Sequence, residues 1–176
     1  MNILENDIVL LRALEPEDID FLFQNENDTS LWKVSETQKP FSRHILNRYL
    51  ENSHLDIYEA KQLRLMIIKK ETNERIGMVD LFDFQPQHHR SGIGILITDK
   101  YRDQGFAHQA LGVFIRYAFT LFELRQIYAN IPLYNKKSIS LFEKLKFERT
   151  GIKKEWILQN EKYEDVAFYQ LFKENL

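Results

Sequence analysis

The chain predicts a mixed α/β (α+β) fold in a single domain, with a central sheet of about seven strands and helices on both faces. Seven strand-like runs alternate with stretches of helical periodicity in the order β-α-α-β-β-β-α-β-α-β-β. Short polar turns within the run of three consecutive strands call for antiparallel neighbours. The 176 residues suit one core, so residues 1–176 are expected to form one domain.

Residues 8–13 form the first apolar run. Pro16 then stands where helices begin, with Glu17, Asp18 and Asp20 in the first turn and Ile19, Phe21, Leu22 and Phe23 as its apolar side. Residues 25–40 are polar and irregular, with Trp32 isolated among them. Ser42 reads as the N-cap of a helix over 43–58, whose inner face carries Ile45, Leu46, Tyr49 and Leu50. Strands at 63–68 and 77–84 flank a polar turn at 71–74, and a third strand, 92–97, follows the turn at 85–90. A helix over 105–122 sets Phe106, Ala110, Leu111, Phe114, Ile115, Ala118 and Leu121 on one face. Next come a strand at 126–132, a short helix at 138–145, and a closing hairpin of 148–158 and 163–172. Gly92 and Gly94 lie inside an apolar run and mark a bulge or a close backbone approach.

The formal net charge of −2, without a polybasic block, gives no reason to expect nucleic acid as a partner. The absence of cysteine excludes disulfides, thiolate metal sites and a cysteine nucleophile. His88 and His89 lack an obvious third ligand, so no metal is expected. The first residues are polar rather than signal-like, and no run is long enough to span a membrane, so a soluble, cytoplasmic protein with no membrane partner is expected.

The most chemical stretch is 101–111. A strand that passes through a polar turn into a helix offers unpaired N–H groups at the positive end of the helix dipole, which is an anion site. Gly105 lets the backbone approach a ligand, and Ala107 adds little bulk. A phosphate-bearing cofactor is therefore expected there. On its own, Asn135 reads as a helix N-cap.

Two motifs, on those elements and in that order, resemble the GCN5-related N-acetyltransferase (GNAT) superfamily. One is Arg102-Asp103-Gln104-Gly105-Phe106-Ala107; the other runs from Asn135 through Ser138, Leu141, Phe142, Glu143, Lys144 and Leu145 to Phe147. The tail Asn160-Glu161-Lys162-Tyr163-Glu164-Asp165 is similar to the closing hairpin of the ribosomal-protein and spermidine acetyltransferase branches. The resemblance implies acetyl-CoA as acyl donor, with its pyrophosphate on the backbone of Arg102, Asp103, Gln104, Gly105, Phe106, Ala107 and His108. The pantetheine arm would pair with Ile95, Leu96 and Ile97 as an added strand, beside a parting of two neighbouring strands. Asn135, with Ser138 in the same motif, would meet that arm from across the cleft.

Acetyl transfer to an amine needs a neutral amine, an oxyanion donor and a proton for the thiolate. The resemblance places the oxyanion donor at about Leu96 or Ile97. It also implies a Glu base and a Tyr acid, and these positions hold Gly92 and Phe142. Asp83 and Tyr134 are the nearest substitutes, as base and acid. Glu26, Asp28, Glu36, Asp80, Asp83 and Glu155 are candidates to attract a cationic acceptor, and Trp32 and Trp156 to wall it. The expected acceptor is a small-molecule amine, polyamine-like, or a peptide N-terminus, and a homodimer is common among relatives. A catalytically weakened acyl-CoA sensor and a partner-binding domain built on the Trp32 loop are the competing readings. Lys146 replaces the Gly that commonly ends the second-motif helix in relatives.

Overall fold

In a computed structural model, which describes residues 2–35 and 37–176, seven strands form one sheet: β1 (Val9–Arg12), β2 (Leu63–Lys69), β3 (Glu74–Gln85), β4 (Arg90–Ile97), β5 (Gln126–Pro132), β6 (Glu148–Gln159) and β7 (Lys162–Phe172). Their order is β1-β2-β3-β4-β5-β7-β6. Every neighbouring pair is antiparallel except β4 and β5. That is the mixed sheet the sequence predicts, including three antiparallel strands in a row before the long helix.

Strand alternation gives the sheet two faces. On one face Leu65, Ile67, Val79, Leu81, Ile93 and Ile97 pack against the long helix α5 (Phe106–Leu121). On the other, Met66, Ile68 and Met78 pack against Leu22 of α1 (Ile19–Glu26) and Leu46 and Leu50 of α3 (Arg43–Glu51). Between α1 and α3 lies a four-residue helix, α2 (Trp32–Ser35), in the stretch expected to be irregular. Glu36, one of the candidate acids, lies outside the described residues.

The helix expected over 43–58 is three pieces. After α3 comes a 3₁₀ turn at Asn52–His54, then α4 (Ile57–Ala60), started by Asp56, whose side chain accepts from the Tyr58 and Glu59 N–H groups. An aspartate that bonds the backbone ahead of it favours a new helix start over helix interior, so the run breaks there. Ser42 does cap α3, accepting from Ile45 N–H at 3.2 Å.

Candidate active site

β4 and β5 pair over only three positions, Arg90–Gln126, Ser91–Ile127 and Gly92–Tyr128. Beyond Gly92 they part, opening a gap between residues 93–97 and the end of β5. On its other edge β4 keeps pairing with β3 to Ile97, and Thr98 N–H still bonds the Ile76 carbonyl at 2.9 Å. Backbone groups of alternate residues point to opposite strand edges. Thr98, Leu96 and Gly94 therefore bond toward β3, while Ile93, Ile95 and Ile97 turn their groups into the gap. An added strand would find its partners at Ile95 and Ile97. Leu96 is turned away, so of the two expected oxyanion donors only Ile97 faces the gap.

Because β4 and β5 are parallel, their C-terminal ends lie at the same end of the gap. The segment 102–108 leaves one and Asn135 leaves the other. Gly105 is left-handed (φ 84°) and heads α5 without any side-chain cap, and the first backbone bond of that end joins Gln109 N–H to the Gly105 carbonyl. The N–H groups of Phe106, Ala107 and His108 precede it and fit an anion. The neighbouring side chains hold the turn rather than fill it. Arg102 Nε donates to the Ile97 carbonyl (3.0 Å) and its guanidinium pairs with Asp99, while Gln104 Nε2 donates to the Lys100 carbonyl (2.8 Å). Phe106 is buried edge-on against Tyr101, and His108 stays exposed. Asp103, also left-handed (φ 59°), accepts a hydrogen bond from Lys137 Nζ at 2.6 Å, joining the two sides of the gap. Lys137 carried no role in the sequence reading, because its partner is 34 residues away and no local pattern reports it.

Asn135 is the N-cap of α6 (Lys136–Lys144): its Oδ1 accepts from Ser138 N–H at 3.2 Å. The carbonyl end of the amide is thus occupied and its NH₂ remains a donor. Ser138 is placed by this cap, through its backbone.

The two absent family side chains have structural explanations. A β-carbon at Gly92 would lie 2.3 Å from the Phe82 ring, so that ring covers the position where a Glu would stand. Phe142 is buried and packs edge-on against Phe147 with ring centres 5.0 Å apart, as a core residue.

The substitutes Asp83 and Tyr134 are not brought together. Asp83 sits at the irregularity that interrupts β3–β4 pairing after Phe82, with φ 46°. Its Oδ2 accepts from the Tyr128 hydroxyl (2.7 Å) and its Oδ1 from Gln85 Nε2 (2.8 Å). Those bonds hold its pKa below the usual carboxylate range and make it a weak base. Tyr128 begins the gap, whereas Tyr134 lies in the turn that follows the end of β5 at Pro132, so the two candidates stand toward opposite ends of the gap. Tyr134 is 39% exposed, its pKa raised by partial burial and then by Glu164. Trp32 donates its indole N–H to the Glu26 carbonyl, whereas Trp156 is exposed beneath Lys153 on the closing hairpin, so the two do not form one wall.

A split sheet with an uncapped helix start at one end agrees with what the sequence match shows. Residues 9–148 match the acetyltransferase (GNAT) domain. The chain belongs to the GNAT family. It is an acyltransferase whose acyl donor is acetyl-CoA. It is 28% identical over 164 residues to spermidine N(1)-acetyltransferase of Vibrio cholerae, covering 92% of this chain and 91% of that one. The same enzyme of Escherichia coli K12 is 27% identical, over 81% of this chain and 74% of that one. A crystal structure of the Vibrio cholerae spermidine N-acetyltransferase in complex with CoA and spermine superposes with a TM-score of 0.86 at 25% identity, over 97% and 98% of the chains. A dodecameric structure of that enzyme, in an intermediate state, matches with a TM-score of 0.80 at 27% identity, over 96% of each chain. The residues that would hold the donor fit it: paired main-chain groups at Ile95 and Ile97 suit an amide-bearing arm, and the start of α5 suits a pyrophosphate.

Proposed function

We propose that this acetyltransferase moves the acetyl group of acetyl-CoA to a primary amine of a polyamine-like small molecule. The observation that carries this reading is the gap beyond Gly92, with the uncapped start of α5 at one end and Asp80 opposite Gly94 where the gap opens. The nitrogen attacks the thioester carbon, a C–N bond forms, the C–S bond breaks, and the coenzyme thiolate leaves with a proton. A backbone N–H of β4 facing the gap meets the developing oxyanion. The thiolate is a good leaving group, so either Tyr134 or water suffices to protonate it.

A polyamine is preferred to a peptide N-terminus because the named relatives act on spermidine and because Asp80, on the same sheet face as Met78 and opposite Gly94, would attract a cationic amine. Among the described residues no helix is long and apolar enough to cross a membrane. We place the reaction in the cytoplasm and expect the chain to self-associate. The test is thiol release from acetyl-CoA across spermidine, spermine, amino acids, amino sugars and short peptides, beside thermal shift with desulfo-CoA. Faster release with polyamines than with peptides is expected. A desulfo-CoA shift with no amine-dependent release would sink the enzyme reading and leave the sensor.

A further inference from the structure

Gly94 stands two residues past the last β4–β5 pair, and Asp80 faces it on β3. A β-carbon at position 94 would lie 3.1 Å from Asp80 Oδ1 and 3.3 Å from Oδ2. The carboxylate therefore leans over β4 where the gap opens, and the glycine leaves the approach to it clear. By strand alternation Asp80 shares its face with Met78, which lies under α1 and α3, and with Phe82, which covers Gly92.

The charges around it are arranged unusually. Arg64 is directly across on β2, yet its Nη1 donates to Glu26 Oε1 of α1 at 2.6 Å. Tyr49 of α3 lies 5.8 Å from the guanidinium, and the part of β4 that faces Asp80, residues 92–96, carries no charge; Arg90 pairs further along, with Gln85. Arg64 Nε is buried without a hydrogen bond, and the hydrogen bond that Arg64 Nη1 makes goes to Glu26, not to Asp80. The cation expected to bond Asp80 is thus held by Glu26. Burial raises the Asp80 pKa; the charge of Arg64 opposes this and that of Glu26 adds to it. Asp83, three residues on, is shifted the other way.

We propose that Asp80 receives the acceptor's ammonium group and takes its proton, and that the Glu26–Arg64 pair positions it. The proposal rests on the acetyltransferase reading above. The ammonium donates one proton to the Asp80 carboxylate. The neutral nitrogen then forms the C–N bond, and its second proton passes by way of Tyr134 or water to the departing thiolate. Product release returns the Asp80 proton to water.

The experiment is the pH profile of spermidine acetylation, followed by thiol release, for the wild type, Asp80→Asn and Asp83→Asn, with desulfo-CoA thermal shift on each. A general base is worth roughly 10²–10⁴-fold. Asp80→Asn is expected to lose at least about 100-fold in kcat/KM near neutral pH. The deficit should shrink as pH climbs toward the amine's own pKa, where the substrate deprotonates unaided, while the desulfo-CoA shift stays. A structural role would lower the rate equally at every pH or remove that shift, and either result overturns the proposal. So does loss in Asp83→Asn with Asp80→Asn spared. If the wild type acetylates no amine, the functional reading itself has failed. Calorimetric titration of spermidine into desulfo-CoA-loaded protein then decides the binding role, which falls unless Asp80→Asn weakens affinity tenfold or more.

Discussion

Gly92 and Phe82 share one volume, and this is why the family's Glu cannot simply be restored. A methyl group at 92 would meet the Phe82 ring at 2.3 Å, a distance that forces the ring to move. Gly92→Ala should cost about 1–3 kcal/mol by overpacking. Most of that cost should vanish in a Phe82→Ala background, and urea unfolding of the four-membered cycle measures it. Asp18 shows the opposite case, a buried charge that is fully engaged. It accepts from both guanidinium nitrogens of Arg12, from Arg75 Nε and from the Glu15 N–H. Burial works against its ionisation, but those bonds win and hold its pKa at about 2. Its folded pKa is depressed, so its contribution is complete above the unfolded value near 4 and is lost as pH falls from there toward 2. The wild type should lose on the order of 2 kcal/mol of stability through that window. Asp18→Asn, at about 3 kcal/mol less stable near neutral pH, should lose less over the same range. Sequence alone could not rank Asp80 against Asp83. Which face Asp83 takes depends on the irregularity after Phe82, and its partner Tyr128 is 45 residues away.

At the scale of elements, α6 separates two duties of one side chain. Asn135→Ala removes the cap and should cost about 1 kcal/mol. Asn135→Asp keeps an acceptor for Ser138 N–H at the positive end of the helix but loses the NH₂ donor. If that donor meets the coenzyme arm, Asn135→Asp should raise the KM for acetyl-CoA severalfold with stability near wild type, while Asn135→Ala changes both. Equal KM values for Asn135→Asp and the wild type would reduce Asn135 to a cap. The elements themselves were largely legible, because apolar period and turn chemistry are local. Ser42 announced α3, and Lys146, where relatives commonly carry Gly, is left-handed after α6 at φ 67°. The break before Asp56 was missed because the apolar spacing runs on across it, and only the competing cap decides. The extent of β4–β5 pairing was legible only through the family resemblance, since register between strands distant in sequence has no local signal.

The whole molecule is a sheet continuous on one side of β4 and open on the other. β4 is bonded to β3 along its length, while three pairs with β5 hold the closed end of the split. The two halves also meet across its other end through the exposed Asp103–Lys137 pair, which adds little stability. β4's bonding to β3 and the packing of Ile93 and Ile97 under α5 hold the edge of the gap in place. Backbone alternation then sets what a coenzyme can change. Amides of Gly94 and Leu96 bond toward β3 and should exchange slowly in the free protein. Those of Ile93, Ile95 and Ile97 face the gap and should exchange faster. Desulfo-CoA should slow exchange at Ile95 and Ile97 and at Phe106, Ala107 and His108, leaving Gly94 and Leu96 almost unchanged. Residue-resolved hydrogen exchange with and without the ligand reads this pattern directly. Protection spread evenly along β4 would mean that binding closes the split instead of adding a strand to it, and the donor would then lie elsewhere than along Ile95 and Ile97.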